Sequence, residues 1–580
     1  MSVKITLQDA YKTSTYDLDK VMSPEETIAT YRGRLQSAEL DILDHTVRID
    51  NGRLDIPVFF SVCGKDARHI IGNKKQMGKG ASPAQAEASA IMELAERFSF
   101  FSFCKDASNF IIDTYANLKQ NALPFDAIAL SVHDQSGDLD AARRVFETIP
   151  MRWTRAWNLT AGREVLVPFD WFYAINEFNG PSAGNCQEEA LSQGICEIVE
   201  RHVSSIASRQ KPRMPAIRPE SATDAMVQDM LKKYSGNGIR LYVQDFSLGM
   251  GIPTVGVLAY DPTTFPASSE LVWTAGTTPD PEKALSRALT EVAQLAGDFN
   301  SNANYVASGL PKYTRLDQAT FLMNPHETVD IGQLPDLSDD NIRVEVENLI
   351  AALDHRGLEV LVIDTRHPDL RIPAFYTIVP GTHFRERAEG TSVGMFSAKL
   401  VVENQPPDIA LHEMKKFDNL LPDRYYLQFY MGLCHLNVGR PDDALPHLHR
   451  ALELEPMAED IASIYSYIGV CLKDTGRFRE ALEALQRGVA VDAERTDLHN
   501  LMGFCHFQLK EHEQAIRSFE RVIRLDPGSA IDYANIASNY RDMQRPADAI
   551  RYYRRALEID PTIQFARENL ARLTGSPLPG

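Results

Sequence analysis

The chain has 580 residues, 44% hydrophobic and 24% charged, with a formal net charge of −19. That length exceeds a single hydrophobic core, so two or three domains are expected. The acidic balance argues against a surface that tracks nucleic-acid phosphates, and no run approaches the ~18 apolar residues of a membrane span.

The first residues lack a signal-peptide apolar region, so the expected setting is cytoplasmic, with neither nucleic acid nor membrane as partner. The seven cysteines form no C-x-x-C pair, which indicates neither a zinc site nor a redox pair. The histidines show no metal-ligand spacing.

Ser23-Pro24-Glu25-Glu26 has the pattern of a helix N-cap, a proline in the first turn and an acidic start. It predicts a helix through Ile28 to about Leu40. Lys20 sits just before it, either as a surface lysine or with its ammonium near a site. Residues 56–64 read as a strand. Residues 72–80 read as a basic, Gly-rich turn that is not a P-loop, because Lys79 is followed by Gly80. Gly78 and Gly80 there allow close approach of the backbone to a ligand.

A polar-striped helix comes next. Ser89, Glu93, Glu96 and Arg97 share one face by their i, i+4, i+7 and i+8 spacing, and Ile91, Leu94 and Phe98 form the apolar side. Residues 105–150 carry little pattern. Residues 165–172 read as a strand or extended segment. The loop 179–185 feeds a second helix with Glu189, Gln193, Glu197, Glu200 and Arg201 on its polar stripe. Asn185 precedes it, either as its cap or in a ligand role. Strands are expected over 239–246, 253–260 and near Val272, the last running into a third helix. Residues 301–340 read as an irregular insertion with helical pieces. Two buried strands follow over 358–364 and 374–380. The fold class is α/β, with helices covering mixed sheets.

The three helices are copies of one pattern. A shift of 104 residues lays Gly80 on Gly184, Ala86 on Ala190, Glu93 on Glu197, Glu96 on Glu200 and Arg97 on Arg201. A further shift of 94 lays Glu197 on Glu291 and Ala190 on Ala284, with Gln294 and Leu295 replacing the second glutamate and the arginine. Glutamates at i and i+3 repel by a few tenths of a kcal/mol. Their repetition with flanking Gly and Ala points to one wall of a cation or polyphosphate site rather than to a solvated charged face. A carboxylate di-metal hydrolase ranks below a nucleotide site, since no histidine accompanies the carboxylates at ligand spacing.

A polar segment with Pro406 and Pro407 marks a boundary, so the expected domains are 1–405, an adapting helix over 406–426, repeats over 427–573 and a tail over 574–580. Gly432, Gly469, Gly503 and Ala537 are equivalent, as are Ala444, Ala481, Ala515 and Ala549, at steps of 37, 34 and 34 residues. This period resembles the tetratricopeptide repeat and predicts an all-α solenoid of four repeats with a terminal helix over 563–573. Cys434, Cys471 and Cys505 share one repeat position and are expected as small core residues. The repeats are expected to bind a peptide or protein on a concave face, with a homodimer through them as a second expectation.

The motifs Ser89-x-x-x-Glu93-x-x-Glu96-Arg97 and Gln193-x-x-x-Glu197-x-x-Glu200-Arg201 resemble the YcaO family. So do Gly78-Lys79-Gly80, Ser182-Ala183-Gly184-Asn185 and the close at Ile378-Val379-Pro380-Gly381. The resemblance covers roughly residues 15–405. It implies ATP bound with Mg²⁺ between acidic helices, without a Walker motif. It also implies ATP-driven activation of a peptide-backbone amide, giving an azoline or, with a sulfur donor, a thioamide. Carried over residue by residue, it implies metal binding by Glu93, Glu96, Glu189, Glu197 and Glu200. Nucleotide contacts fall to Lys20, Thr27, Ser89, Asn185 and Arg201. The third copy departs from the family: Ala296 stands where many members carry an arginine, leaving Arg287 as the phosphate contact.

The short Pro577-Leu578-Pro579 is weak support for azoline chemistry, and no leader-binding domain is apparent. The expectation is therefore thioamidation, or an accessory role to a ribosomal-protein methylthiotransferase, with a peptide or protein substrate and a sulfur-donor or accessory protein. The alternative is a non-catalytic, nucleotide-binding scaffold that recruits a partner through its repeats.

Overall fold

The structure is a computed structural model that describes residues 4–13, 19–72, 76–300, 310–384, 391–526 and 528–575. The chain divides into two compact units: Met1–Gln135 with Glu147–Thr391, and Ser136–Phe146 with Ser392–Gly580. Among the described residues no helix is long and apolar enough to cross a membrane.

The first unit is α/β with three sheets. Strands β1 (Leu43–Arg48), β2 (Val58–Cys63) and β3 (Gln76–Lys79) form an antiparallel sheet. Strands β4 (Ile111–Asp113), β5 (Met151–Asn158), β6 (Arg163–Pro168) and β7 (Pro181–Ala183) belong to a second. Strands β8 (Ala216–Arg218), β9 (Arg240–Asp245), β10 (Thr254–Tyr260), β11 (Val272–Thr277) and β12 (Thr328–Asp330) form a third, in the order β11-β10-β9-β8-β12. The last two strands, β13 (Leu361–Asp364) and β14 (Ala374–Ile378), return to the second sheet, ordered β4-β5-β13-β14-β7 with β6 on β5. Only β8–β12 pair in parallel; every other pair is antiparallel among the described residues.

The first predicted helix is Pro24–Ala38, opened by a capping box between Ser23 and Glu26. The three similar helices are Pro83–Lys105, Gln187–Gln210 and Pro281–Ala296. The first starts on a capping box, Ser82 with Gln85, and each lies close against a strand before it. A Cβ on Gly78 would stand 2.0 Å from the Ala90 nitrogen, and one on Gly276 would stand 2.3 Å from the Ala284 carbonyl. The repeated Gly80 and Gly184 sit as tightly, a Cβ there standing 2.7 Å from the Ala86 nitrogen and 2.6 Å from the Ala190 nitrogen, so strand and helix backbones touch. Ile91, Leu94 and Phe98 close one core with Tyr31 and Leu370, and Leu285, Leu289 and Val292 close another against Val255 and Val257.

Three local expectations change. Residues 76–79 are not a turn: they pair with β2, Phe59 opposite Gly78, because Gly78 can press on the helix behind it. Residues 73–75 lie outside the described residues. The segment expected as extended over 165–172 stops at Pro168, and Phe169–Asn176 is helical, burying Phe169, Trp171 and Phe172. Cys186, not Asn185, is the N-cap of the second acidic helix, its Sγ accepting from Glu189 N–H at 3.4 Å.

The second unit contains four helix pairs, from Tyr425–Asn437 to Pro546–Ile559, and a terminal helix Gln564–Thr574. Gly432 sits against Leu448, Gly469 against Leu485 and Gly503 against Phe519, at distances a Cβ would violate. Cys434, Cys471 and Cys505 are buried in this array. Helices Val393–Asn404 and Pro407–Leu420 precede the repeats, and Leu139–Phe146 packs on both. Arg424 pairs with Asp138 at 2.6 Å in the same unit. The tail over 576–580, with its Pro-x-Pro, lies outside the described residues.

Candidate functional site

The polar stripes of the first two similar helices sense each other. Burial raises the Glu93 carboxyl, Arg97 and Lys79 pull it back, and Glu197 on the second helix pushes it up again. Burial holds Glu96 well above the usual carboxylate range, against Arg97 and with Glu197 and Glu93 adding to the rise. The cation at hand is Arg97, whose Nε lies 3.5 Å from Glu96 and whose terminal N–H donates to the Phe178 carbonyl at 3.2 Å. Ser89 is half-buried one turn before Glu93 on the same face.

On the second helix one carboxylate is tied to the loop before that helix and another to the strand before the third helix. Glu197 accepts from Gly180 N–H at 3.1 Å and Glu200 from Thr277 N–H at 3.2 Å. Arg201 lies 3.9 Å from Glu197 and 3.7 Å from Glu200. Its Nε is buried and finds no hydrogen-bond partner among the described residues. Arg287 brings in the third helix: it donates to Gln193 at 2.8 Å and its Nε stands 3.5 Å from Glu200.

Glu189 anchors a second group around the helix start. It accepts from Val21 N–H at 2.7 Å and Asn185 N–H at 2.9 Å. Partial desolvation works to lower the Lys20 ammonium, but Asp19, at 3.6 Å, and Glu189 outweigh it and hold it above the usual lysine range. The Thr27 hydroxyl donates to the Ser23 carbonyl at 3.0 Å. Thr27 and Asn185 line one narrow crevice with Gly184, Met92 and Tyr31, and the Tyr31 hydroxyl there is buried without a partner among the described residues.

Four further residues belong to this neighbourhood. Lys79, at the end of β3, pairs with Glu291 of the third helix. Burial, Arg287 and Arg201 push its ammonium down to about 7, while Glu200 and Glu93 oppose them. The repeat alignment had already marked Glu291, and Gly-Lys-Gly had marked Lys79, but neither was assigned a role. Lys12 and the buried Glu345 form an ion pair at 2.6 Å. The segment around Lys12 is strapped to the start of the helix Ile342–Asp354, Ala10 N–H to Asn341 Oδ1 at 2.9 Å and Ile342 N–H to the Ala10 carbonyl at 2.8 Å. No spacing signal links residues so far apart in sequence.

Among the described residues no three His, Cys, Asp or Glu side chains converge into a protein-only metal cage. Mg²⁺ does not need one: it keeps waters and phosphate oxygens and takes one or two carboxylates. Buried carboxylates whose charge is opposed by burial and by one another, beside an arginine with an orphaned N–H, fit a divalent cation together with a polyphosphate. The class this fold and site define is therefore a magnesium-assisted nucleotide site between helices.

The comparisons agree with that class. The family profile described as YcaO cyclodehydratase, ATP- and Mg²⁺-binding, matches residues 77–383, and two tetratricopeptide-repeat profiles match residues 435–503 and 492–562. The chain belongs to the YcaO family, enzymes that depend on ATP and Mg²⁺. It is 27% identical over 385 residues to an uncharacterized protein of Methanothermobacter thermautotrophicus, covering 62% of this chain and 94% of that one. It is 28% identical over 243 residues to the ribosomal protein S12 methylthiotransferase accessory factor YcaO of Escherichia coli, covering 38% of this chain and 40% of that one. The structure of YcaO from Methanopyrus kandleri bound with AMPPCP and Mg²⁺ shares its fold, with TM-score 0.50, 22% identity, and coverage of 65% of this chain and 95% of that one.

Proposed function

We propose that the first unit uses Mg-ATP to activate a peptide or protein backbone amide, and that the outcome is thioamidation or support of a methylthiotransferase rather than azoline formation. The observation that carries the nucleotide part is the facing pair of acidic helices, with Glu93 and Glu96 raised by burial and by Glu197. The similarity to a methylthiotransferase accessory factor supports the sulfur-directed outcome.

In this reading Glu93 and Glu96 hold one magnesium, and Glu189, Glu197 and Glu200 serve a second metal region. Arg201 and Arg287 offset phosphate charge, the orphaned Arg201 Nε being a donor in waiting. Lys20, Thr27, Ser89 and Asn185 line the nucleotide. Bound Mg-ATP would supply the phosphoryl group that makes an amide oxygen a good leaving group. The protein's own work is positioning and charge placement in a site shielded from water. We assign catalysis to residues 1–405, an adapting helix to 406–426, and recruitment of a peptide or protein partner to the repeats over 427–573.

The test is phosphate release from ATP by the full chain with added peptide and sulfide, followed by mass spectrometry of the peptide. The reading expects turnover that needs both, and a mass gain of one sulfur-for-oxygen exchange. A mass loss of one water would replace it with azoline formation.

A further inference from the structure

The first acidic helix has a second functional side. Glu93 and Glu96 face the site described above, while Phe98, Ser102 and Lys105 lie on the opposite side of the cylinder. There, with Lys65, Arg68 and His367, they line an open cavity of about 800 Å³, within the size range of ligand pockets.

This cavity is cationic in a chain whose net charge is −19. Its two carboxylates are turned to backbone groups: Asp66 accepts from Asp41 N–H at 2.8 Å and Asp106 from Ser108 N–H at 2.9 Å. Lys65 and Arg68 are exposed, and neither forms an ion pair among the described residues. Lys105 donates to the His69 carbonyl at 3.0 Å. The Nδ1 of His367 accepts from Asp369 N–H at 3.3 Å and Leu370 N–H at 3.4 Å. A ring nitrogen that accepts carries no proton, so Nε2 holds it and remains a donor. The Ser102 hydroxyl is shielded from water and has no partner among the described residues. Phe98, whose ring centroid lies 5.0 Å from that of His367, and Ile70 give the cavity an apolar floor.

Three cations and a neutral N–H donor suit an oxyanion; the apolar floor and the volume suit more than a bare phosphate. We propose that this cavity docks an acidic segment of the peptide substrate, a carboxylate side chain against Arg68, Lys65 and Lys105 and a neighbouring aliphatic side chain against Phe98 and Ile70. The proposal rests on the reading that the substrate is a peptide. Arg68 can grip a carboxylate through two parallel N–H bonds, which a lysine cannot.

The experiment is fluorescence anisotropy on the full chain with three fluorescein-labelled short peptides, alternating Glu-Leu, Lys-Leu and Glu-Ser. Calorimetry with Mg-ATP runs beside it. The Glu-Leu peptide is expected to bind at least about tenfold more tightly than the other two, the affinity falling as salt is raised. Arg68→Glu and Lys65→Glu, both at exposed positions, are expected to lower it by about tenfold while leaving Mg-ATP affinity unchanged. Equal binding by wild type and Arg68→Glu overturns the proposal. So does binding of Glu-Ser as tight as Glu-Leu with full displacement by inorganic phosphate, which would make this a small-oxyanion pocket. Failure of wild type to bind Mg-ATP, with peptide binding intact, counts against the nucleotide reading and leaves the cavity's assignment standing.

Discussion

Glu93 and Glu96 stand out among the site's side chains because burial outweighs the cations set against them, Arg97 beside both and Lys79 beside Glu93. A buried carboxylate costs free energy unless it is paired or protonated, and here Arg97 is shared among Glu96, Glu93 and Glu197. The same logic applies to a stack of histidines elsewhere in the first unit. The rings of His133 and His383 lie 3.6 Å apart, and His202 Nδ1 accepts from His383 N–H at 2.9 Å. Burial and the neighbouring imidazoles push His202 down to about 4; burial, His133 and Arg209 do the same to His383. An unfolded histidine titrates near 6.5. Between about 6.5 and about 4 the unfolded chain therefore binds protons that the folded chain does not, so stability is full above that window and falls as pH drops through it. Melting temperatures across pH 4 to 7 are expected to fall on the acid side, with a shallower slope for His383→Asn. An unchanged slope in that variant would show that the stack does not set it.

At the scale of elements, the tight strand–helix contacts decide where the acidic side chains point. Gly78→Ala places a Cβ on backbone atoms of Ala86 and Ala90, whereas Gly432→Ala meets the movable end of Leu448 at 2.9 Å. The first substitution is expected to cost more than about 2 kcal/mol and the second less, since backbone cannot yield as a leucine rotamer can; urea unfolding of both variants checks the order. Ser82→Ala removes the cap of the first acidic helix and should cost about 1 kcal/mol, read by the same titration. The helices and their stripes were legible because a 3.6-residue period survives in sequence whatever packs on it. β3 was not, because Gln76-Met77-Gly78-Lys79, set among glycines, looks like a turn until a neighbouring strand pairs with it. Composition left Asn185 open between a cap and a ligand role; Cys186 takes the cap position, and Asn185 gives its N–H to Glu189.

At the scale of the molecule, the two units reflect different kinds of sequence information. The repeats announce themselves through Gly and Ala at a fixed period, since every helix pair solves the same packing problem. The first unit announces its site through three copies of one helix, and its longer strands, such as Thr254–Tyr260 and Ala374–Ile378, through apolar runs. What the sequence hid is long-range: the Lys12–Glu345 pair, the Lys79–Glu291 pair, and the placement of Ser136–Phe146 in the second unit. None of these has a local pattern, because each depends on where distant segments come to rest. The central claim is that the acidic helices together form one Mg-ATP site, and calorimetry with ATP in the presence and absence of Mg²⁺ tests it most directly, with wild type beside Glu93→Gln and Glu197→Gln. The account predicts Mg²⁺-dependent binding by wild type and a loss of at least about tenfold, some 1.4 kcal/mol, in each variant. Wild-type affinity retained in both variants would contradict it.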